Sequence, residues 1–232
     1  MIKPGDVIPY LKMCQVEGGI NLQRGMNFRL RGGLSIILMS LRPDAPYADE
    51  VIDEGRTLIY EGHDIRKTKG APDPKSVDQP SQNHGGSLTE NGLFYNKAEE
   101  FKKNDKDAEI VKVYEKIRKG IWVYNGLFKL VDAWIKSDGK RKVFKFKLEV
   151  TQYEGQHGEK YRADLDHNRI IPSQIKYEVW VRDSGKCVKC GSKDNLHYDH
   201  ILPYSKGGSS LVAENIQILC ARHNLAKSNK IE

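Results

Sequence analysis

The sequence is short of the features that mark membrane and secreted proteins. None of its apolar runs approaches the roughly 20 residues that a membrane helix needs. The opening stretch MIKPGDVIPY has no apolar core of the kind that a signal peptide carries. With 38% hydrophobic and 30% charged residues, the composition is that of an ordinary globular protein. We therefore expect a cytoplasmic protein.

Cysteine is scarce as well, which argues against a disulfide framework. The chain has four cysteines; Cys187, Cys190 and Cys220 lie in its last quarter, whereas Cys14 stands apart. In a cytoplasmic chain, clustered cysteines with a histidine nearby are typical of metal binding rather than of disulfide formation. The sequence thus indicates a metal site near its C-terminal end.

Acidic residues are fewer than basic ones. The chain has 31 Asp and Glu against 38 Lys and Arg, a formal net charge of +7. A basic domain of this size favours a polyanionic partner, and nucleic acid is the commonest polyanion. A soluble protein that merely has many lysines shows the same balance, so the charge alone does not decide between the two.

The periodicity of the first part of the chain predicts a mixed structure. Residues 32–41 and 56–62 are rich in Ile, Leu and Tyr and predict strands. Residues 63–92 are full of Pro, Gly, Asp, Asn and Ser, which predicts a long polar loop, and residues 92–104 predict a helix. Alternating stretches separated by glycine in 111–150 predict a β-meander. We expect the α+β class, with a mostly antiparallel, barrel-like sheet and flanking helices.

The length of 232 residues suits one ordinary domain and a smaller one. The meander would close a first domain at residues 1–151. Residues 152–172 carry many charges and no clear periodicity, so we expect a linker there. A small second domain would then occupy residues 173–232.

The second domain contains two cysteine-based half-sites. Cys187 and Cys190 have the Cys-x2-Cys spacing that lets one turn present two sulfurs to a zinc ion, and Cys220 and His223 have the same spacing. A domain of this size has a thin core, which a structural zinc ion would stabilise. The alternative is a set of buried thiols beside a surface histidine.

A second polar set consists of Asp199, His200, Asn215 and Asn224. Phosphodiester hydrolysis needs an activated water and a cation on the scissile phosphate. A histidine can take the proton from water near neutral pH, and carboxylate and amide oxygens suit Mg²⁺ or Mn²⁺. Adjacent residues of a strand point to opposite faces. A bend or strand end near Pro203 is therefore required if Asp199 and His200 serve one site.

The stretch YDHILPYSKGGSSLVAENIQILCARHNLAKSNK, with CVKCGSKDN before it, resembles the HNH (ββα-metal) nuclease family over roughly 180–230. The resemblance implies that His200 is the general base and that Asp199 and Asn224 bind the catalytic cation. It also implies that Asn215 shapes the loop and orients the histidine. A domain that has kept this fold and lost its chemistry is the alternative.

The same resemblance assigns the zinc positions to Cys187, Cys190, Cys220 and His223, the last being a position where the family usually has cysteine. The reverse arrangement, with His223 catalytic and zinc held by three cysteines, stays open. Lys227 would either touch phosphate or be solvated.

The first domain has aromatic and acidic residues around glycine-rich turns: Tyr47, Asp49, Glu50, Tyr60 and Glu61. Two aromatic faces can enclose a base that has been rotated out of a duplex. A carboxylate accepts a hydrogen bond from the exocyclic amine of cytosine and would reject the carbonyl that thymine has in the same place. The ordinary alternative is that the tyrosines are core residues and the acids cap turns.

The order of these residues resembles the SRA (YDG) domain over roughly 15–150, a PUA-like fold that reads 5-modified cytosine by base flipping. By that resemblance Tyr47 and Tyr60 stack on the flipped base, and Asp49 or Glu50 holds its Watson–Crick edge. One extra residue between Tyr47 and Gly55 leaves the choice of acid open.

Further positions are read from the same resemblance. Asn125 stands where the YDG triplet usually has Asp. Glu61 lies close to where the family approaches the 5-substituent, and we hypothesise a hydrogen bond to a 5-hydroxymethyl group. Arg42 and Lys69 would meet phosphates near the pocket, or simply be solvated.

Together the two resemblances imply a prokaryotic, modification-dependent restriction endonuclease. Its partner would be double-stranded DNA containing 5-methyl- or 5-hydroxymethylcytosine, with structural Zn²⁺ and catalytic Mg²⁺ or Mn²⁺. Because one active site cuts one strand, we expect a homodimer, at least on DNA. The alternatives are a non-catalytic reader with a structural zinc domain, and an HNH nuclease that does not depend on modification.

Overall fold

The computed structural model of the chain describes residues 2–19, 21–22, 25–104, 106–151, 171–203, 206–228 and 230–231. Most of the expected linker, 152–172, lies outside these residues, and the domain boundaries stay an expectation. We refer to residues 2–151 as the N-terminal region and to residues 171–231 as the C-terminal region.

The N-terminal region is built on one sheet of eight strands in the described part of the chain. The strands are β1 (Val7–Pro9), β2 (Met26–Asn27), β3 (Ser35–Met39), β4 (Glu50–Ile52), β5 (Thr57–Glu61), β6 (Glu109–Arg118), β7 (Ile121–Ser137) and β8 (Lys142–Val150). Their order is β2-β3-β6-β7-β8-β5-β4, and β1 pairs with β7. All pairs are antiparallel except β3 with β6, as expected for a mostly antiparallel sheet.

The expected barrel is corrected by this topology. The sheet has two edges, β2 and β4, which are not paired with each other in the described residues. Both are very short, and short edge strands are a common way of limiting pairing with other chains. The predicted strands at 32–41 and 56–62 are confirmed as β3 and β5, and the predicted meander as β6, β7 and β8.

Two helices flank this sheet, α1 (Tyr10–Val16) and α2 (Glu90–Lys102). The predicted helix is confirmed as α2, but it begins two residues earlier than expected because the Thr89 hydroxyl caps it, accepting from the Gly92 N–H at 3.2 Å. Phe94 and Ala98 on its inner face are fully buried in a core with Phe128 and Phe146. The predicted polar loop contains a short 3-10 turn at Pro74–Ser76 and an isolated antiparallel bridge between Gln82 and Leu88, and its last residues belong to α2.

The C-terminal region contains α3 (Ser173–Arg182), β9 (Leu196–His200), β10 (Ile216–Cys220) and α4 (Ala221–Lys227). Strands β9 and β10 are antiparallel and are followed directly by α4, a ββα arrangement. The observed class is therefore α+β, as predicted.

The two regions share an apolar core. Ile117 of β6 and Val123 of β7 pack with Val179, Leu196 and Ile218 of the C-terminal region. The backbone N–H of Tyr198 also donates to the carbonyl of Gly5 at 3.0 Å. The C-terminal region thus lies against β1 and the ends of β6 and β7 next to the turn that joins them. No helix in the residues that the structure describes is long and apolar enough to cross a membrane.

Candidate functional sites

A cavity of about 570 Å³ opens beside β3 and β5 and the turn that joins β6 to β7. Three of the residues predicted to read a base lie at its wall, namely Tyr47, Asp49 and Tyr60. Met39, Lys116 and Trp122 line it from the other strands. The fold therefore brings together one acid and both tyrosines from positions 13 residues apart.

Asp49 presents the acid of this cavity. Its two carboxylate oxygens accept hydrogen bonds from the backbone N–H groups of Glu61 (3.0 Å) and Ser40 (3.1 Å). Burial raises its pKa to about 7, against the opposing effect of these donors and of Lys145. Glu50 begins β4 with an exposed side chain and does not line the cavity in the described residues. The geometry therefore favours Asp49 where the sequence left the choice open.

The two tyrosines differ in their surroundings. Tyr60 is 1% exposed, and burial raises its pKa well above the ordinary value. A Cβ at Gly25 would lie 2.3 Å from the Tyr60 hydroxyl, so glycine leaves the space that the ring needs. Tyr47 is half-buried; its ring stacks on His63 at 6.4 Å between centroids and lies 4.1 Å from the Lys75 ammonium. Both rings border the cavity, and their stacking on a base stays a prediction.

Glu61 is held by neighbouring residues in the structure, and its hydrogen bond to a 5-hydroxymethyl group stays a hypothesis. Strand β5 has both edges paired, with β4 and with β8, and its side chains are mostly buried on both faces, Glu61 among them. Its carboxylate pairs with Lys145 at 3.0 Å and accepts from the N–H of Ala48 at 3.3 Å. Lys145 also donates to the Ala48 carbonyl at 2.7 Å. Glu61 thus holds the loop that carries Tyr47 and Asp49, and among the described residues it does not line the cavity.

Basic side chains lie at the cavity mouth. Arg42 lines it, as expected, and pairs with Asp44, whereas Lys69 is exposed and away from the lining that the structure describes. The sequence reasoning missed Lys116, near the end of β6, and Lys119, in the β6–β7 turn, which both line the cavity. The basic run around Gly120 was the signal that could have identified them.

The four predicted zinc ligands converge in the C-terminal region. Their ligand atoms all lie within 4.8 Å of one another. Cys190 Sγ lies 3.8 Å from Cys220 Sγ, and His223 Nδ1 lies 3.3 Å from Cys187 Sγ and 3.4 Å from Cys220 Sγ. A tetrahedron with zinc–sulfur bonds of about 2.3 Å gives sulfur separations of about 3.8 Å, so the set fits zinc. The reverse arrangement is not supported, because the His223 ring faces the sulfurs.

The Cys187 thiol is prepared for ionisation. Burial opposes the charged form, but the backbone N–H groups of Cys220, Lys189 and Cys190, together with His223, outweigh burial and lower its pKa to about 6. The thiolate is the form that binds metal.

The HNH residues lie where β9 ends. His200 is the last residue of that strand, which meets the requirement for a strand end beside Asp199. Asn215 accepts from the N–H of Leu202 (2.8 Å) and donates to the carbonyls of Leu202 (3.1 Å) and Ser209 (3.0 Å). Its amide therefore closes the loop that follows the histidine.

Side chains that the sequence reasoning missed support this pair. The Ser210 hydroxyl, 3% exposed as a residue, lies 2.8 Å from His200 Nε2. Lys227 is 1% exposed and contacts both the Asp199 carboxylate (3.1 Å) and the His200 carbonyl (2.6 Å). Lys227 is thus neither solvated nor a phosphate contact. Its spacing of three from Asn224 on α4 was the available signal, because such residues share a helix face.

The donor chemistry of this site fits a hard divalent cation. Asp199 offers a carboxylate, and Asn224 offers an amide oxygen one helical turn before Lys227, which reaches the same carboxylate. Oxygen ligands of these types suit Mg²⁺ and Mn²⁺. Gln217, opposite Asp199 in the register of β9 and β10, donates to that carboxylate at 3.2 Å and orients it.

Comparisons with known protein families match each of the two regions to a different family. Residues 2–156 match the family model of the SAD/SRA domain, and residues 187–230 match that of the HNH endonuclease. No curated protein matches the chain.

The solved structures that are similar to it include the following three. The SUVH5 SRA domain in complex with hemi-methylated CG DNA is 24% identical over 64% of this chain and 87% of that chain, with a TM-score of 0.44. The same domain bound to fully hydroxymethylated CG DNA is 24% identical over 64% and 88%, with a TM-score of 0.43. ScoMcrA, a type IV phosphorothioation-dependent restriction endonuclease, is 15% identical over 99% of this chain and 56% of that chain, with a TM-score of 0.43. Since the SAD/SRA model matches more than half of its residues, the chain belongs to the SAD/SRA domain family and carries an HNH endonuclease domain at its C-terminal end.

Proposed function

We propose that this protein is a modification-dependent endonuclease that flips and reads 5-modified cytosine in double-stranded DNA and hydrolyses a phosphodiester bond at its HNH site. One observation carries the proposal. The chain has a cavity whose wall includes Asp49, Tyr47 and Tyr60, and its His200 ends strand β9 directly after Asp199.

Reading would rest on the Watson–Crick edge of the flipped base. A protonated Asp49 donates to the N3 acceptor of cytosine and accepts from its N4 amine, whereas the carboxylate can only accept. Thymine presents a donor and a carbonyl at these positions, so the N4 contact would be lost. A pKa near 7 makes the protonated form available at neutral pH. Tyr47 and Tyr60 would cover the faces of the base.

Hydrolysis would use the C-terminal region. His200 takes a proton from the attacking water, with its ring oriented by the Ser210 hydroxyl. Asn215 keeps the loop after His200 closed, and Asp199 and Asn224 hold the cation. The bound Mg²⁺ or Mn²⁺ supplies the positive charge that stabilises the transition-state phosphate. Zinc at the Cys3His set would hold α4 against the β9–β10 hairpin.

One HNH site cuts one strand at a time. A double-strand break therefore requires two copies or two successive visits, and we propose a homodimer on DNA. Sedimentation of the protein with a duplex that carries one modified site would show two copies per duplex if this is right, and one copy if the strands are cut in separate visits.

The test is cleavage of one plasmid prepared in three forms: unmodified, with 5-methylcytosine and with 5-hydroxymethylcytosine. With Mg²⁺ or Mn²⁺ present, we expect cutting of the modified forms alone. Cutting of all three would retain the nuclease and reject the reading. Tight binding of modified plasmid without cutting would make the protein a reader whose zinc domain is structural. His200→Ala and Asp49→Ala separate the two activities, since the first should bind without cutting and the second should lose discrimination.

A further inference from the structure

A buried charged cluster joins the two regions. Lys176 of α3 donates to the Glu115 carboxylate at 2.5 Å and to the Asn125 side-chain oxygen at 2.8 Å. The Asn125 amide donates to the same carboxylate at 3.0 Å, and the Ser173 hydroxyl donates to its other oxygen. Glu115 is 0% exposed, Lys176 2% and Asn125 7%. We call these four residues the Lys176 cluster.

Within the Lys176 cluster the positive charge of Lys176 faces the negative charge of Glu115, and each hydrogen-bond donor faces an acceptor. Burial lowers the pKa of Lys176, while Glu115 raises it and keeps the ammonium paired. An amide at position 125 serves both neighbours, because its oxygen accepts from Lys176 and its NH₂ donates to Glu115. An aspartate there, as in the YDG triplet, could not donate when ionised and would place a second negative charge beside one ammonium. The departure at Asn125 thus has a physical reason in the contact with α3.

A buried ion pair contributes little net stability, because desolvation offsets the attraction. Its best-attested use is to fix the register of two packed elements, since any other arrangement leaves a charge buried without a partner. Here the two elements are the main sheet and the first helix of the C-terminal region. The apolar contact by itself would tolerate sliding, and the hydrogen bond from the Tyr198 N–H to the Gly5 carbonyl fixes one point of the contact. The donors and acceptors of the Lys176 cluster match in one arrangement and fix a second point, at α3.

The Lys176 cluster also lies between the two candidate sites. On one side the Asn125 amide is 3.7 Å from the sulfur of Met39, which lines the cavity. On the other side the carbonyl of Lys176 accepts from the Tyr198 hydroxyl at 2.8 Å. Tyr198 directly precedes Asp199 and His200 on β9. The contacts that orient α3 are therefore one side chain away from each site.

We infer that the Lys176 cluster holds the HNH domain in one orientation on the base-reading domain and so sets the distance along DNA between the modified cytosine and the cleaved phosphate. This inference rests on the proposed function. With the Lys176 cluster intact, cleavage falls at a narrow set of positions. When its charges are removed, the two regions reorient relative to each other and the cleavage positions spread.

The variant that tests it is the neutral pair Glu115→Gln with Lys176→Met, which leaves no buried charge without a partner. Its matched control is Glu178→Gln with Lys193→Met, the same chemical changes at two exposed positions. Cut positions are mapped at nucleotide resolution on a duplex with one 5-methylcytosine. We expect the neutral pair to widen the distribution by several nucleotides while affinity for the modified duplex stays within about two-fold of wild type, and we expect the control to match wild type.

A second variant covers the case in which the neutral pair fails to fold. Asn125→Asp alters one atom of the side chain, adds a buried carboxyl and should widen the distribution in the same direction. Unchanged cut positions in a folded variant would overturn the inference.

Small-angle X-ray scattering of the free proteins gives a readout without cleavage. The neutral pair should have a larger radius of gyration than the control. If the wild type cuts no DNA, the proposed function fails, but equal scattering profiles would still overturn the fixed orientation separately.

Discussion

The two regions build their sites in different ways. In the N-terminal region Tyr60 lies on β5 of a large sheet, Tyr47 and Asp49 lie on the loop before β4, and a core rich in Phe, Leu and Val supports them. In the C-terminal region the histidine stands at the end of a two-stranded hairpin, and a Cys3His set ties the hairpin to a seven-residue helix. We infer that the deep core is sufficient to support the proposed reading site, whereas the thin core of the C-terminal region depends on the proposed zinc ion.

The largest expected effect comes from removing a zinc ligand, which should disrupt the C-terminal region and leave the cavity of the N-terminal region intact. Cys220→Ser removes one zinc ligand, and structural zinc contributes about 10–16 kcal/mol of apparent binding free energy that is coupled to folding. We expect zinc to be lost, the ββα element to unfold and cleavage to disappear, with binding to modified DNA retained. Zinc content and native mass spectrometry, followed by a binding titration, measure this.

The matched control is Cys14→Ser, the same change at the cysteine outside the set. It should keep full zinc content and cleavage. Unaltered folding of the C-terminal region without zinc would contradict the comparison.

The next largest effect concerns chemistry alone. His200→Ala removes the proposed general base, and such groups contribute about 10²–10⁴-fold to rate. Single-turnover cleavage should fall by that factor, with an unchanged thermal midpoint. His84→Ala, at an exposed histidine in the polar loop, should cleave like the wild type. A fall of less than ten-fold for His200→Ala would assign the base to another group.

A smaller effect is expected on the affinity for modified DNA as pH changes the protonation of Asp49. Because the pKa of Asp49 is raised to about 7, its proton is released as pH rises from 6 to 8, and the donor to cytosine N3 is lost. Affinity for a duplex with 5-methylcytosine should therefore fall over this window, by up to about ten-fold for one hydrogen bond of about 1.4 kcal/mol. The charged and titratable neighbours that share this environment are Lys145, Glu61 and Tyr60.

Asp49→Asn is the control for this titration. An asparagine offers a donor and an acceptor without ionising, so its affinity should be independent of pH between 6 and 8. Its NH₂ group cannot accept from one of the two backbone N–H groups that contact Asp49, so its affinity at pH 6 should be lower than that of the wild type. Stability should respond with the same sign: the folded state retains a proton that the unfolded chain releases above its usual pKa of 3.8, so the contribution of Asp49 to the free energy of unfolding falls as pH rises towards 7. Affinity that rises with pH would make the carboxylate the reading form.

The smallest expected effect tests the packing around the cavity. Gly25→Ala places a Cβ 2.3 Å from the Tyr60 hydroxyl, and this overpacking should cost about 1–3 kcal/mol in urea unfolding. Because the clash is with the hydroxyl, Tyr60→Phe combined with Gly25→Ala should restore most of the loss. The same Cβ lies 3.4 Å from the backbone carbonyl oxygen of Leu38. If the second change restores nothing, that carbonyl is what opposes the methyl group.

Much of the C-terminal site was predictable because its residues are close in sequence. Cys187 and Cys190 lie on one turn, and Cys220 and His223 lie on one helical turn, so local geometry nearly fixes their approach. The polar set followed from residue chemistry and from the need for a strand end at His200. Lys227 was the exception, since burial against Asp199 depends on how α4 packs and not on spacing alone.

In the N-terminal region the sequence predicted the strands, the meander and the candidate residues, but not which side chain faces the cavity. Asp49 and Glu50 are adjacent, and only the packing of the loop before β4 decides which of them is buried. Glu61 was placed near the 5-substituent because the sequence does not reveal that its carboxylate is buried against Lys145 and the Ala48 N–H. The sequence also predicted a barrel where the sheet is open, because strand patterns do not specify whether the two edge strands pair with each other.

The sequence by itself determined the chemistry of this protein: a Cys3His set, an Asp-His pair with two asparagines, and acids and tyrosines around glycine-rich turns. Only the tertiary structure decided which acid faces the cavity, that Lys227 holds Asp199, and that Lys176 meets Glu115 across 61 residues. The physical reason is the separation along the chain of the residues that set each property. Ligand spacing is fixed by bond geometry within a turn, whereas burial and ion pairing depend on which distant surfaces the fold brings together.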